Sequence, residues 1–133
     1  FPINKNEITT AILSNNTNLK KIIIIVHQEI RKKMRLFLKK NKNKKVVVLD
    51  IPLLLENKIH NKKDILVFID ANKKDIEKRL RKRANFNIKL IRKFKKIKFN
   101  SKFKKKKSHF IIKNKFTKKS VNIGIKLILS KIM

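Results

Sequence analysis

The run Val46-Val47-Val48-Leu49-Asp50-Ile51-Pro52-Leu53-Leu54-Leu55-Glu56 carries more structural information than any other part of the chain. Four apolar residues in succession, three of them β-branched, predict a strand buried on both faces. Asp50 and Pro52 end it, and Leu53 to Glu56 begin a short helical turn. Proline suits a first helical turn because its missing N–H would be unpaired there. The chain is therefore expected to bend sharply at the ligand edge of a sheet. Leu53 and Leu54 would wall a pocket and Glu56 would face its polar side. The same residues equally make a plain strand–turn–helix junction with Asp50 as a cap.

Outward from that run the pattern alternates. Ile65-Leu66-Val67-Phe68-Ile69 predicts a second buried strand ended by Asp70, and Phe110-Ile111-Ile112 a third, short one. Glu7 to Leu13 reads as a short helix with Ile8, Ala11 and Ile12 on one face, followed by a turn over Asn15 to Asn18. Leu19 to Lys40 reads as helix, with a possible break near His27. Its apolar positions Ile22, Ile23, Val26, Ile30, Met34 and Leu38 recur at helical spacing. Helices are also expected over Lys73 to Lys82, over Asn87 to Phe99 with Ile88, Ile91 and Phe94 apolar, and over Thr117 to Lys131. In the last, Val121, Ile125, Ile128, Leu129 and Ile132 would face inward. Ser101 to Ser108 is a lysine-rich helix or loop. Buried strands alternating with helices predict an α/β fold, a parallel sheet flanked by helices on both faces. Two of the three strands end in an Asp at the carboxyl edge, where open α/β sheets place their ligands.

The chain has 133 residues and a formal net charge of +31. It holds 33 Lys, 22 Ile and 15 Asn, together 70 of the 133 residues. These three residue types share A/T-rich codons, so compositional drift, rather than a polyanion partner, is expected to be the main origin of the charge. With no Cys, disulfides and Cys-ligated metal sites are excluded. With a single Gly, Gly124, no Gly-rich phosphate loop lies within these residues. The apolar runs, such as Ile22 to Val26, are far short of the roughly 20 residues a membrane span needs. No charged segment leading into an apolar one marks a signal peptide, and a cytoplasmic setting is the default expectation.

The ordered set of segments resembles the dephospho-coenzyme A kinase family of P-loop kinases. That family carries a hydrophobic strand running into Pro-Leu-Leu-x-Glu, matched by Pro52, Leu53, Leu54 and Glu56. Upstream it has a helix with Val-His-Pro and then Arg, matched by Val26-His27-Gln28 and Arg31. Downstream come a strand, a helix with Arg-x-x-x-Arg matched by Arg79 and Arg83, a lid, and a strand reading roughly Val-Ile-x-Asn, matched by Ile111-Ile112-Lys113-Asn114. The chain departs from the pattern at Gln28, where the family has Pro, and at Ile76 and Lys98, where it has Gln. It also departs at Ser108-His109, where the family has Ala-Asp. The family's opening strand, phosphate loop and Asp-ending second strand have no match here. The resemblance thus places phosphate cradle, Mg²⁺-binding hydroxyl and general base before Phe1, and no catalytic or metal-ligating residue is expected in this chain.

The resemblance implies one incomplete kinase domain over residues 1–133. Substrate-side helices would cover 1–44, core strands 45–70, a lid region 71–108, and the last strand and helix 109–133. It implies a sheet order 2-3-1-4-5 with strands 3, 4 and 5 present, and hence marginal stability for this piece alone. The intact enzyme would be a monomer moving the γ-phosphoryl of ATP, with Mg²⁺, to the ribose 3′-hydroxyl of dephospho-coenzyme A. This piece alone is expected to be inactive. His27, Arg31, Asp50, Pro52, Leu53, Leu54 and Glu56 would meet the substrate, and Arg79, Arg83 and Asn114 would meet ATP.

Plainer roles stand beside these. Arg79 and Arg81 also form i,i+4 pairs with Asp75 and Glu77. His27 also reads as a packing histidine, and Asn114 as a turn residue. Phe94, Phe99 and Phe103 interleave with Lys as in single-strand nucleic-acid binders, yet also suit lid packing. A basic nucleic-acid-binding module and another nucleoside monophosphate kinase-like P-loop kinase are the rival readings; on the main reading no specific nucleic acid and no membrane is expected as a partner.

Overall fold

The structure, a computed structural model, describes residues 3–133. In chain order the elements are α1 (Lys5–Ser14), α2 (Asn16–Lys40), β1 (Val67–Asp70), α3 (Lys73–Arg81), α4 (Ile88–Ile97), α5 (Ser101–Lys107), β2 (Phe110–Lys113) and α6 (Lys118–Ile132). They fall into two compact units. One holds the residues up to Ile59 with Ile88–Lys98, the other His60–Asn87 with Phe99–Met133.

In the first unit, Asn4 caps α1. Its side-chain oxygen accepts from Asn6 N–H, and its amide donates to the Glu7 carboxylate at 2.9 Å. Asn15 alone separates α1 from α2, and its side chain caps α2 through Thr17 N–H at 2.9 Å. The expected four-residue turn is thus a single residue. α2 runs 25 residues without a break at His27. Its inward face is Leu19, Ile23, His27, Ile30, Met34 and Leu38. Val26, expected inward, is 47% exposed, and His27, only 6% exposed, takes its place. A step of four from Ile23 and three to Ile30 keeps His27, not Val26, on the helical stripe.

The end of α1 is served by side chains from elsewhere. A helix leaves its last carbonyls without intrahelical donors. Here Asn18 Nδ2 donates to Ala11 O at 2.7 Å, and Lys93 Nζ, from α4, donates to Ile12 O at 2.7 Å and Leu13 O at 3.2 Å. The last turn of α1 has no basic residue of its own. Lys93 therefore supplies from α4 the positive charge that complements the helix dipole. Buried Ile12, Leu19 and Ile59 form the apolar core of this unit.

Val46 to Asp50 do not form a strand, and Val48 is 82% exposed. The β-branched run has the right composition, but a strand exists only through a hydrogen-bonded neighbour. Among the described residues none runs beside it.

In the second unit β1 and β2 pair in parallel, Val67 opposite Phe110 through Asp70 opposite Lys113. These are the neighbours that the order 2-3-1-4-5 implies for strands 4 and 5. β1 is shorter than expected, β2 runs one residue further, to Lys113, and both are wetter: Val67, Ile69 and Ile111 are exposed, and only Ile112 is buried. The histidine that precedes β2 opens the ladder. His109 N–H donates to Leu66 O at 2.8 Å, while its Nδ1 accepts from Leu66 N–H at 2.9 Å. α6, capped by Thr117, lies close on β2. A Cβ on Gly124 would stand 2.8 Å from Ile112 Cγ2, so the approach requires glycine. Val121, Gly124, Ile128 and Ile132 are the less exposed positions of α6. Ile125 and Leu129, expected inward, are exposed, because the approach at Gly124 centres the contact on a different stripe. The lysine-rich stretch after Asn100 is helical, with Asn100 Oδ1 accepting from Phe103 N–H at 2.8 Å.

Candidate functional site

Of the residues singled out in the sequence, His27, Arg31, Asp50, Pro52, Leu53, Leu54 and Glu56 fall in the first unit and Arg79, Arg83 and Asn114 in the second. In the first unit the centre is the turn Pro52–Lys58. Leu53 begins it with φ 54°, a left-handed conformation that a branched side chain adopts at a cost. Leu53 O then accepts from Asn57 N–H at 3.0 Å and Asn57 Nδ2 at 3.1 Å. The turn closes as a helix end does: Ile59 N–H reaches Leu54 O at 3.1 Å and Lys58 N–H reaches Leu55 O at 3.2 Å. Lys58 holds the left-handed position with φ 49°. This is a Schellman closure without glycine, and the residue after the left-handed one, Ile59, is among the most buried in the protein.

Arg31 ties α2 to this turn. Its Nη2 donates to Asn57 O at 2.7 Å. His27 lies one helical turn before Arg31, and its buried Nδ1 has no hydrogen-bond partner. Burial, and then the positive Arg31, hold the His27 pKa below its ordinary value, so the neutral imidazole is favoured. His27, Arg31 and the half-buried Leu53, Leu54 and Glu56 thus belong to one unit, with Arg31 joined directly to the turn. Asp50 and Pro52 are exposed. Asp50 does not end a strand, so its expected place at the edge of a sheet is corrected.

In the second unit an open cleft of about 550 Å³ lies at the carboxyl ends of β1 and β2. Asp70, Asn72, Asp75, Lys113 and Asn114 line it. Asn114 joins the two strand ends. Its N–H donates to Asp70 O at 2.7 Å, and its side-chain oxygen accepts from Phe116 N–H at 2.7 Å. That side-chain turn holds Phe116 at φ 59°. The Arg79 guanidinium lies 4.0 Å above the Phe116 ring centroid. The Asp70 carboxylate meets Lys105 Nζ at 2.8 Å in a partly exposed pair.

Arg83 departs from expectation. α3 ends at Arg81, and Arg83 sits in the following bend, so it does not share a helical face with Arg79. Among the described residues no ion pair joins Asp75 to Arg79 or Glu77 to Arg81. Phe116 went unnoticed in the sequence, although an aromatic two residues beyond a strand-ending Asn is a recognisable signal. Among the described residues no group of three or more His, Asp, Glu or Cys side chains could hold a metal ion. Among them, no helix is long and apolar enough to cross a membrane.

Residues 2–119 match the family profile of dephospho-CoA kinase. The chain belongs to the dephospho-CoA kinase family. It is 32% identical over 83 residues to a dephospho-CoA kinase of Wolbachia sp. subsp. Brugia malayi, covering 61% of this chain and 43% of that protein. It is 32% identical over 72 residues to the dephospho-CoA kinase of Wolbachia pipientis wMel, covering 53% and 37%. With the dephospho-CoA kinase of Bartonella henselae the identity is 31% over 71 residues, covering 52% and 36%. The chain thus spans about two fifths of the length of the curated relatives it matches. Its parallel β1–β2 pair with flanking helices is part of a P-loop kinase fold.

Proposed function

We propose that this chain contributes to ATP-dependent phosphorylation of dephospho-coenzyme A at the ribose 3′-hydroxyl. The observation that carries this reading is the Arg31–Asn57 bond. It joins the His27 helix to the Pro-Leu-Leu-x-Glu turn within residues that match the family. Substrate would lie against that junction, among His27, Arg31, Leu53, Leu54 and Glu56, with Asp50 and Pro52 at its margin. A neutral His27 can donate or accept a hydrogen bond without bringing a second positive charge beside Arg31. ATP would lie against the second unit. A guanidinium stacked on a ring keeps its N–H donors in plane and directed outward. Arg79 on Phe116 is therefore placed to meet phosphate oxygens, where charge spreads in the transition state of phosphoryl transfer. Asn114 has spent its side-chain oxygen on Phe116 and keeps Nδ2 as a donor. Arg83, on the bend after α3, would add a second cation.

The reading extends to a single kinase domain with the segment roles set out above, monomeric in its complete form and cytoplasmic, with Mg²⁺ accompanying ATP. Residues 1–133 contain no Gly-rich phosphate loop. They are therefore expected to give no turnover above a blank with ATP and dephospho-coenzyme A. Binding is tested on the ¹⁵N-labelled chain. Dephospho-coenzyme A should perturb amides at residues 27–31 and 50–57, and a non-hydrolysable ATP analogue those around Arg79, Arg83 and Asn114. If dephospho-coenzyme A moves only the second group, or neither, the assignment fails.

A further inference from the structure

The charge is distributed unevenly along the chain. All eight Asp and Glu residues lie at or before Glu77, whereas 22 of the 39 Lys and Arg follow it. From residue 78 to the end the protein carries no carboxylate side chain. Within this stretch α5 reads Ser-Lys-Phe-Lys-Lys-Lys-Lys, five lysines in seven residues, of which Lys105 is paired with Asp70. Two aromatic rings accompany them in the same unit. Phe99 and Phe103 are 43% and 39% exposed and meet edge to face, with centroids 4.8 Å apart. Lys107 Nζ lies 5.9 Å from the Phe103 centroid.

We propose that α5 and the segment leading into it form a docking surface for single-stranded nucleic acid, bound without sequence preference. This reading is independent of the kinase assignment. Three features converge on it. A high local density of ammonium groups matches a phosphate backbone and draws affinity from counterion release. Half-exposed rings beside those ammonium groups offer faces on which unpaired bases stack. Lysine, a point charge without the planar fork of arginine, holds phosphates while reading no base edges. A duplex keeps its bases stacked on one another, so the rings would gain little from it. An anionic bilayer demands a broad apolar helix face, and α5 presents one phenylalanine in seven residues.

The test compares two fluorescein-labelled 20-mers, oligo-dT and an abasic strand with the same number of phosphates, by anisotropy on the full 133-residue chain. The expected result is tighter binding of oligo-dT by about fivefold or more, the range base–aromatic stacking supplies. Phe103→Leu keeps an apolar side chain in place and removes the ring. It should abolish that preference while leaving affinity for the abasic strand within about twofold. The double change Lys106→Gln, Lys107→Gln should weaken both strands and lower the slope of log K against log salt by about 1.4, or 0.7 per phosphate contact. Circular dichroism of each variant checks the fold, and the wild-type comparison of the two strands needs no variant. Equal affinity for the two strands overturns the proposal, as does a preference that survives in Phe103→Leu. So does binding to phosphatidylglycerol vesicles that falls with Phe103→Leu while the two strands bind alike.

Discussion

Replacing Lys93 by Met keeps the aliphatic stem and removes the ammonium that serves Ile12 O and Leu13 O. Hydrogen bonds to a charged group contribute about 1.5–3 kcal/mol each. Two adjacent carbonyls share this ammonium, and the side chain is only half-buried, so the pair counts as roughly one such bond. The dipole of α1 adds about 0.5 kcal/mol. The expected loss is therefore about 2 kcal/mol, concentrated at the end of α1. Native-state amide exchange reads it directly: at 1.4 kcal/mol per factor of ten, amides of the last turn of α1 should exchange about 30-fold faster. Amides of α6, in the other unit, serve as the internal control and should not move. Lys93→Arg should restore most of the protection. Exchange in α1 of the Met variant within about twofold of wild type would refute the claim that Lys93 holds this helix end.

Two further outcomes follow from the same geometry. The folded state holds the His27 pKa below its unfolded value, so between these two values the unfolded chain binds the extra proton. Stability contributed by the neutral imidazole should be complete above about pH 6.5 and decline as pH falls below it; His27→Leu should flatten that decline in urea melts at pH 5 against pH 7.5. Gly124→Leu should drive a side chain into Ile112 and cost about 3 kcal/mol, seen as loss of protection in β2, whereas unchanged protection would mean that α6 does not rest there.

Local chemistry made much of this fold legible. The asparagine-rich turn before α2 supplies its cap, and periodicity finds most of the α2 stripe, though not the exposure of Val26 or of Ile125 and Leu129 in α6. What stayed hidden depends on partners distant in sequence. Val46 to Leu49 have the composition of a buried strand, yet a strand is a property of two segments. Lys93 is one of 33 lysines until it is seen 2.7 Å from Ile12 O, 81 residues away. Arg31 reaches Asn57 across 26 residues for the same reason. The left-handed backbone at Leu53, Lys58 and Phe116 carries no glycine, the residue that usually announces it. The turn at Pro52 to Glu56 and the side-chain turn at Asn114 were readable as local structure from motif and turn chemistry. The helical pairing of Arg79 with Arg83 was not, because nothing local announces that α3 ends at Arg81.

Among the described residues β1 has a hydrogen-bonding neighbour on one side only. Its other edge presents Val67, Phe68 and Ile69 without a lysine or proline to blunt it. Edge-to-edge meeting of two copies is second order in protein, and the force opposing it is mutual repulsion between chains of charge +31. That repulsion reaches about 30 Å at 10 mM salt and about 8 Å at physiological ionic strength. Ionic strength is therefore expected to set how long this chain stays dispersed in solution. Low salt keeps copies apart, and each increment of salt shortens the time in which a dilute sample stays dispersed.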